Sequence, residues 1–278
     1  MAELPEVSII IPARNEEANI SACLASLINQ PGVRCEIFVV DDNSDDCTRD
    51  EVSRFTQVKL LSAPIPPPDW TGKAFAICQA VPHAKAKWLL FTDADTQHAL
   101  GSLRKSLSEA QQNNLVLLSY SPKQKVVTFW EKILQPIVFA ELNHSFRYEE
   151  VSDSSSEVAA ANGQYLLVRR DAYERAGGHA AVKGSLLDDV DLARRLKRQG
   201  PIRFRYSPES VEARMYTNFA EIASNPSAQN QATIAEVTPT WSFGSARSSG
   251  LWLQIFGVER FSFLPNMQSD GGDLARQG

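Results

Sequence analysis

Three short apolar runs in the first hundred residues each end abruptly in polar or acidic side chains. VSIII (7–11) runs into PARNE (12–16), EIFVV (36–40) into DDNS (41–44), and KWLLFT (87–92) into DAD (93–95). Runs of this length, β-branched and continuously apolar, suit strands buried on both faces. The intervals between them carry helical spacing. Residues 16–29 place Ile20, Cys23, Leu24 and Leu27 on one face, and Pro31-Gly32 stops the helix. The alternation continues with a helix over 45–55, a strand over 58–61, helices over 72–81 and 100–112, and a strand over 115–120. Such alternation builds an α/β fold with a mainly parallel sheet covered by helices on both faces. Ligands of these sheets bind beyond the carboxyl ends of the strands, so the three polar clusters are expected to converge there.

After residue 121 the pattern changes. Residues 126–142 are strongly apolar and are interrupted by Pro136; they read either as a core helix or as a face that meets a membrane or a lipid acceptor. A strand is expected over 164–169. A helix follows over 186–199, with an acidic start and a basic end that complement the helix dipole. Residues 224–278 turn polar and lose periodicity, so we expect a domain over 1–223 followed by a poorly ordered tail.

The totals exclude several classes. A chain of 278 residues with 43% hydrophobic and 22% charged residues can bury a sizeable core. A net charge of -5, with no Lys/Arg run, argues against a nucleic-acid partner. Cys23, Cys35, Cys47 and Cys78 form no CxxC pair and read as buried, reduced thiols rather than zinc ligands or disulfides. The N-terminal apolar run lacks a basic lead and is too short for a signal peptide, and no segment reaches the ~18 uninterrupted apolar residues of a membrane span. The expected location is cytoplasmic, with peripheral contact at the cytoplasmic face of a membrane left open.

Each acidic motif has a structural and a chemical reading. Asp93-Ala94-Asp95 can clasp a hard divalent cation through carboxylate oxygens, or can cap the helix expected near Leu100. Asp41-Asp42 exceed what capping the helix at 45–55 requires, and their acceptors suit a nucleobase N–H or ribose hydroxyls. In Asp69-Trp70-Thr71-Gly72-Lys73, the glycine permits close backbone approach at a helix start, and the lysine can meet a diphosphate or stand free at the surface. Asp188, Asp189 and Asp191 crowd one helical turn, where mutual repulsion should raise at least one pKa and suit it to general-base work. The following Arg194-Arg195 pair reads as a solvated face, or as a partner for those acids or a phosphate.

Taken together, VSIIIPARNEE, VVDDNSDDCT, WTGKAFA, FTDAD, NGQYLLVRR and LLDDVDLARRL resemble, in order and spacing, the family 2 glycosyltransferases with the GT-A fold, over residues 5–222. The proline-rich approach to WTGK and the ARMY stretch at 213–216 are most similar to the membrane-associated branch that glycosylates carotenoid or hopanoid-type lipids. The resemblance implies a Rossmann-like nucleotide-sugar-binding domain. It implies that Pro12, Glu16, Asp41 and Asp42 hold the nucleotide's base and ribose, and that Lys73 touches the diphosphate. Asp93 would face ribose, sugar or metal, and Asp95 would bind Mg²⁺ or Mn²⁺. Asn162 and Gly163 would sit by donor sugar and acceptor, Asp188 beside them, and Asp189 would be the catalytic base.

The implied reaction is a metal-dependent, inverting transfer from a nucleotide sugar, a UDP-sugar favoured, to a hydroxyl or carboxyl of a lipid-like acceptor. A soluble sugar or polysaccharide acceptor, or nucleotide-sugar binding with little turnover, are the alternatives. Asp188-Asp189 stands where the family has Glu-Asp, and the Gln-x-x-Arg-Trp signature of processive synthases is absent, which implies one sugar per encounter. Relatives in the suspected branch continue into apolar membrane helices where this chain turns polar at Ser224, so a premature end or altered frame near Ala223 is expected. A dinucleotide oxidoreductase would need Gly-x-Gly-x-x-Gly after its first strand, where this chain has PARNEE.

Overall fold

In the computed structural model, residues 3–125 and 148–213 are described; the apolar stretch 126–142 and the tail 224–278 lie outside them. The expected strands form with small changes at their ends: β1 (Val7–Ala13), β2 (Cys35–Asp41), β3 (Val58–Ser62), β4 (Trp88–Phe91), β6 (Leu117–Ser121) and β8 (Leu166–Arg169). With β9 (Ile202–Tyr206) they make a seven-stranded sheet of order β3-β2-β1-β4-β8-β6-β9. Only β8 runs antiparallel to its neighbours in this sheet. That reversal has no signature in an apolar pattern, because a strand buried on both faces reads the same in either direction. From β1 the chain winds outward to β2 and β3, then returns to the other side of β1 for β4. The strand order therefore reverses between β1 and β4, at the position where α/β sheets open a crevice.

Alternate side chains of the strands feed two cores, one on each face. Ile10, Phe38, Leu89 and Phe91 pack with α3 (Gly72–Ala80), α6 (Arg170–Arg175) and α7 (Asp188–Lys197). Ile9, Ile11, Val39 and Leu90 pack with α1 (Ile20–Ile28), α2 (Thr48–Ser53) and α4 (Ser102–Gln112). A short helix α5 (Tyr148–Ser152) lies against β9, where Tyr148 and Phe204 meet with ring centroids 4.8 Å apart. A second sheet of three strands joins β5 (Thr96–His98), β10 (Val211–Ala213) and β7 (Lys123–Gln124). Its strands are too short to show a period, and none was expected.

Two helices begin later than their periodicity suggests. The expected start at Glu16 moves to Ile20, and that at Asp45 moves to Thr48. The reason is a mutual clasp of the loops after β1 and β2. Asn15 N–H donates to Ser44 Oγ at 3.0 Å, Glu16 N–H to Thr48 Oγ1 at 2.7 Å, and Glu17 N–H to Asp46 Oδ2 at 3.1 Å. Asn15 and Asn43 adopt φ of 57° in these loops, a left-handed conformation that asparagine tolerates. The cysteines are all free, but of the four expected to be buried only Cys23 is; Cys35 and Cys78 are partly exposed, and Cys47 is exposed where α2 begins.

Candidate active site

Several residues singled out in the sequence meet beside the β1/β4 switch point, but of the three strand-end clusters only those after β1 and β4 reach it, through Pro12 and Asp93, and residues 41–44 after β2 do not line it. Pro12, Lys73, Asp93, Gly163, Asp188 and Asp189 line one small cavity of about 10 Å³, room for about one water. Its apolar floor includes Ile77, Phe91 and Leu166, and His179 closes one side.

Lys73 is the centre of the arrangement. Thr71 caps α3 by accepting from Ala74 N–H at 3.3 Å, which fixes the helix start and the lysine after it. Lys73 Nζ lies 2.6 Å from Asp93 Oδ1. A Cβ placed on Gly163 would lie 3.1 Å from the same Nζ, so the absent side chain leaves room for the ammonium. Burial disfavours the charged lysine, but Asp93, Asp188 and Asp189 outweigh it and raise its pKa. The lysine is therefore a fixed cation at neutral pH.

Asp189 stands at the first turn of α7 and accepts from Gly163 N–H at 2.9 Å through Oδ2 and from Val190 N–H at 2.8 Å through Oδ1. Burial, and then the charge of Asp188, raise its pKa to about 6; Lys73 and the two N–H groups limit the rise. A carboxylate tuned to this range is suited to proton transfer near neutrality.

Asp95 does not line this cavity. Its Oδ1 is buried with no hydrogen-bond partner, and burial, followed by the charges of Asp93 and Glu16, pushes its pKa up to about 8. An orphaned carboxylate oxygen beside other acids is a poor structural element and a good cation ligand. Among the described residues no cluster of three or more His, Cys, Asp or Glu can hold a metal. The aspartates do not cap α4, whose N-cap is Gly101 with no side-chain bond.

The other predicted residues take distinct places. Asp42 is buried against α3, and a Cβ on Gly72 would fall 2.3 Å from its Oδ2, so glycine is required for that approach. Asp41 is engaged within its own loop, accepting from Ser44 N–H at 3.4 Å with Arg49 3.9 Å away. Glu16 takes Asn19 Nδ2 at 2.9 Å and acts electrostatically on Asp95. Asn162 is not at the cavity wall; its Oδ1 accepts from Gln164 N–H at 2.9 Å and shapes the turn that presents Gly163.

Sequence reasoning missed the support beneath the acidic loop. Thr96 Oγ1 donates to Asp93 O at 2.7 Å, and Thr92 Oγ1 donates to Gln164 O at 2.7 Å. His98 Nε2 lies 3.2 Å and 3.1 Å from these two hydroxyls. Each hydroxyl has one proton, already committed to a carbonyl, so Nε2 must carry the hydrogen. Burial lowers the pKa of His98 to about 3, and it stays neutral. His179 was missed as well; its ring packs 4.8 Å from Phe91, Tyr173 Oη lies 2.8 Å from its Nδ1, and burial lowers its pKa to about 3. A lone histidine carries no sequence period that would reveal either role.

Comparison with known proteins agrees with this geometry. Residues 8–177 match the model of glycosyl transferase family 2. The chain is 26% identical over 267 residues to the 4,4'-diaponeurosporenoate glycosyltransferase of Staphylococcus haemolyticus, covering 90% of this chain and 70% of that one. It is 27% identical over 201 residues to the beta-monoglucosyldiacylglycerol synthase of Trichormus variabilis, covering 69% of this chain but only 41% of the relative. Its fold is similar to that of the mannosyltransferase PcManGT from Pyrobaculum calidifontis, solved with GDP-Man and Mn²⁺, at a TM-score of 0.58 and 18% identity, over 92% of this chain and 80% of that one. The switch-point acids, the lysine among them and a family match spanning more than half the residues have one common explanation: this chain belongs to glycosyl transferase family 2 and is a glycosyltransferase with the GT-A fold.

Proposed function

We propose that the protein is an inverting, metal-dependent transferase that moves one sugar from a nucleoside-diphosphate sugar to a hydroxyl or carboxyl of a lipid-like acceptor. The observation that carries this reading is the joint placement of Asp189, with a pKa near 6, and Lys73 on one cavity wall. Asp189 takes the proton of the acceptor hydroxyl as its oxygen attacks the anomeric carbon. The bond from that carbon to the diphosphate breaks on the opposite face, and the electron pair leaves with the nucleotide. One displacement inverts the configuration. Lys73 neutralises charge that develops on the departing diphosphate.

Pro12, Glu16, Asp41 and Asp42 border the base and ribose, with Asp93 reaching ribose or sugar. Asn162, Gly163 and Asp188 frame the sugar and the incoming acceptor. Mg²⁺ or Mn²⁺, held by Asp95 with Asp93 beside it, would supply Lewis-acid stabilisation of the diphosphate when bound. The orphaned Asp95 oxygen supports that assignment. The lipid-like acceptor rests on the names of the two relatives, of which this chain spans 70% and 41%. A UDP-sugar is the favoured donor.

The test is a thermal-shift screen of UDP- and GDP-sugars with and without Mn²⁺, followed by transfer assays on diacylglycerol and on soluble sugars. Binding to the native state raises the melting temperature by mass action. A Mn²⁺-dependent shift that Asp95→Ala abolishes supports the reading. Donor binding without transfer to any acceptor would favour a nucleotide-sugar binder instead.

A further inference from the structure

A second concavity lies on α7 away from the donor cavity and shares no lining residue with it. Its volume is about 440 Å³, and it is bounded by Lys183, Ser185, Asp191, Arg194, Arg195 and Arg198. The basic groups come from two segments, Lys183 from the loop before α7 and the arginines from the last turns of α7 and its C-cap. A basic helix end that merely complemented the dipole would need no wall from the loop.

The ion pairs show which charges remain available. Lys183 is paired with Asp69 and stands 5.9 Å over the Trp70 ring. Arg194 is paired with Asp191 at 2.8 Å, and the other oxygen of Asp191 accepts from Ser185 Oγ at 2.7 Å. Arg195 and Arg198 are exposed and form no ion pair among the described residues. Two uncompensated guanidinium groups therefore face one concavity, on a chain whose net charge is -5. Overall basicity does not account for them.

We propose that this groove binds a phosphate monoester. A monoester carries about −1.5 to −2 charges at neutral pH, which two guanidinium groups balance, and their planar forks suit its oxygens. The volume exceeds what a bare phosphate fills and falls within the range of small-molecule sites, which leaves room for the molecule that bears the phosphate. Arg195 and Arg198 lie six and nine residues after Asp189, roughly 9 to 14 Å along the helix axis. The phosphate so held is distinct from the donor diphosphate at Lys73. The bearer is either a soluble phosphorylated metabolite or the headgroup of a lipid such as phosphatidic acid.

The experiment compares the full chain with two double variants: Arg195→Gln/Arg198→Gln, and a charge-matched control at two exposed lysines, Lys85→Gln/Lys87→Gln. Far-ultraviolet circular dichroism confirms that each is folded. Probes are glycerol 3-phosphate by calorimetry and co-sedimentation with phosphatidylcholine vesicles with and without phosphatidic acid, all at fixed ionic strength. The arginine variant is expected to lose roughly tenfold or more in affinity, given the usual strength of charge-assisted hydrogen bonds, while the control is unchanged. Loss with glycerol 3-phosphate identifies a soluble bearer, and loss only with phosphatidic acid vesicles identifies a lipid. Equal loss in the control, no loss in the arginine variant, or no binding of any probe to the wild type overturns the proposal. None of these outcomes depends on sugar transfer, so the groove and the proposed reaction fail separately.

Discussion

Asp189 and Asp95 are the two carboxylates most shifted at the site, and they make different predictions. With a folded-state pKa near 6, Asp189 is protonated below that pH and cannot act as a base. Transfer should therefore fall as pH drops through about 6 and level off above it, measured as kcat/KM on a fixed donor. Asp189→Asn should lower kcat roughly 10²–10⁴-fold while sparing donor binding; an active variant would remove the assignment. Asp95→Asn should stabilise the metal-free protein, since it removes a buried acid facing Asp93 and Glu16, yet lose the Mn²⁺-dependent rise in melting temperature. Gly72→Ala places a Cβ 2.3 Å from Asp42 Oδ2, so the carboxylate must swing aside; donor binding should weaken, while the urea midpoint should shift by the equivalent of less than about 1 kcal/mol because the helix propensity of alanine offsets the clash. Sequence alone marked Gly72 as a place of close approach, but the group it admits is Asp42, at the end of another strand and separated from it in the chain by α2 and β3. A pattern of residue types names a capable side chain and leaves its partner to the fold.

Among the elements, the stretch from β4 to β5 bears most directly on the site. Thr92 and Thr96 tie the Asp93–Asp95 turn to the turn beside Gly163, and His98 Nε2 lies within 3.2 Å of both hydroxyls. The motif FTDAD was legible as a strand end, whereas β5 was not, because a three-residue strand has no period to detect. The β9 sequence IRFRY does alternate, and that signal could have been read. Arg203 and Arg205 of β9 meet Glu109 of α4 at 3.1 and 2.8 Å, and Tyr120 Oη donates to the same carboxylate at 2.9 Å. Glu109→Ala leaves Arg203 with Asn113 Oδ1 and Arg205 with Tyr120 Oη as remaining partners, both guanidinium groups being partly open to water, and should destabilise the fold by about 1–2 kcal/mol, read from the urea midpoint at unchanged m-value. A cost near zero would mean that the cluster is solvent-screened and does not fasten α4 to the sheet.

For the whole molecule, acid should act through the buried histidines. Both His98 and His179 have pKa values lowered from 6.5 to about 3 by burial, so the folded protein binds fewer protons than the unfolded chain in that window. Stability held above pH 6.5 is lost as pH falls towards 3, at up to ~1.4 kcal/mol per pH unit for each histidine. The advantage of wild type over His98→Gln should shrink at about that rate between pH 6.5 and 4.5; parallel curves would show that His98 accepts its proton without cost. The alternation of apolar runs and helical spacings determined the α/β class, and the polar residues after three strands indicated which edge carries the chemistry. Both follow from local periodicity and from the burial that continuous apolar runs demand. The antiparallel β8, the small sheet under the acidic turn, the histidines and the basic groove beside α7 were decided only in three dimensions. Each depends on partners far apart in the chain, and the charge balance that tunes Lys73, Asp95 and Asp189 exists only once packing has removed water from between them.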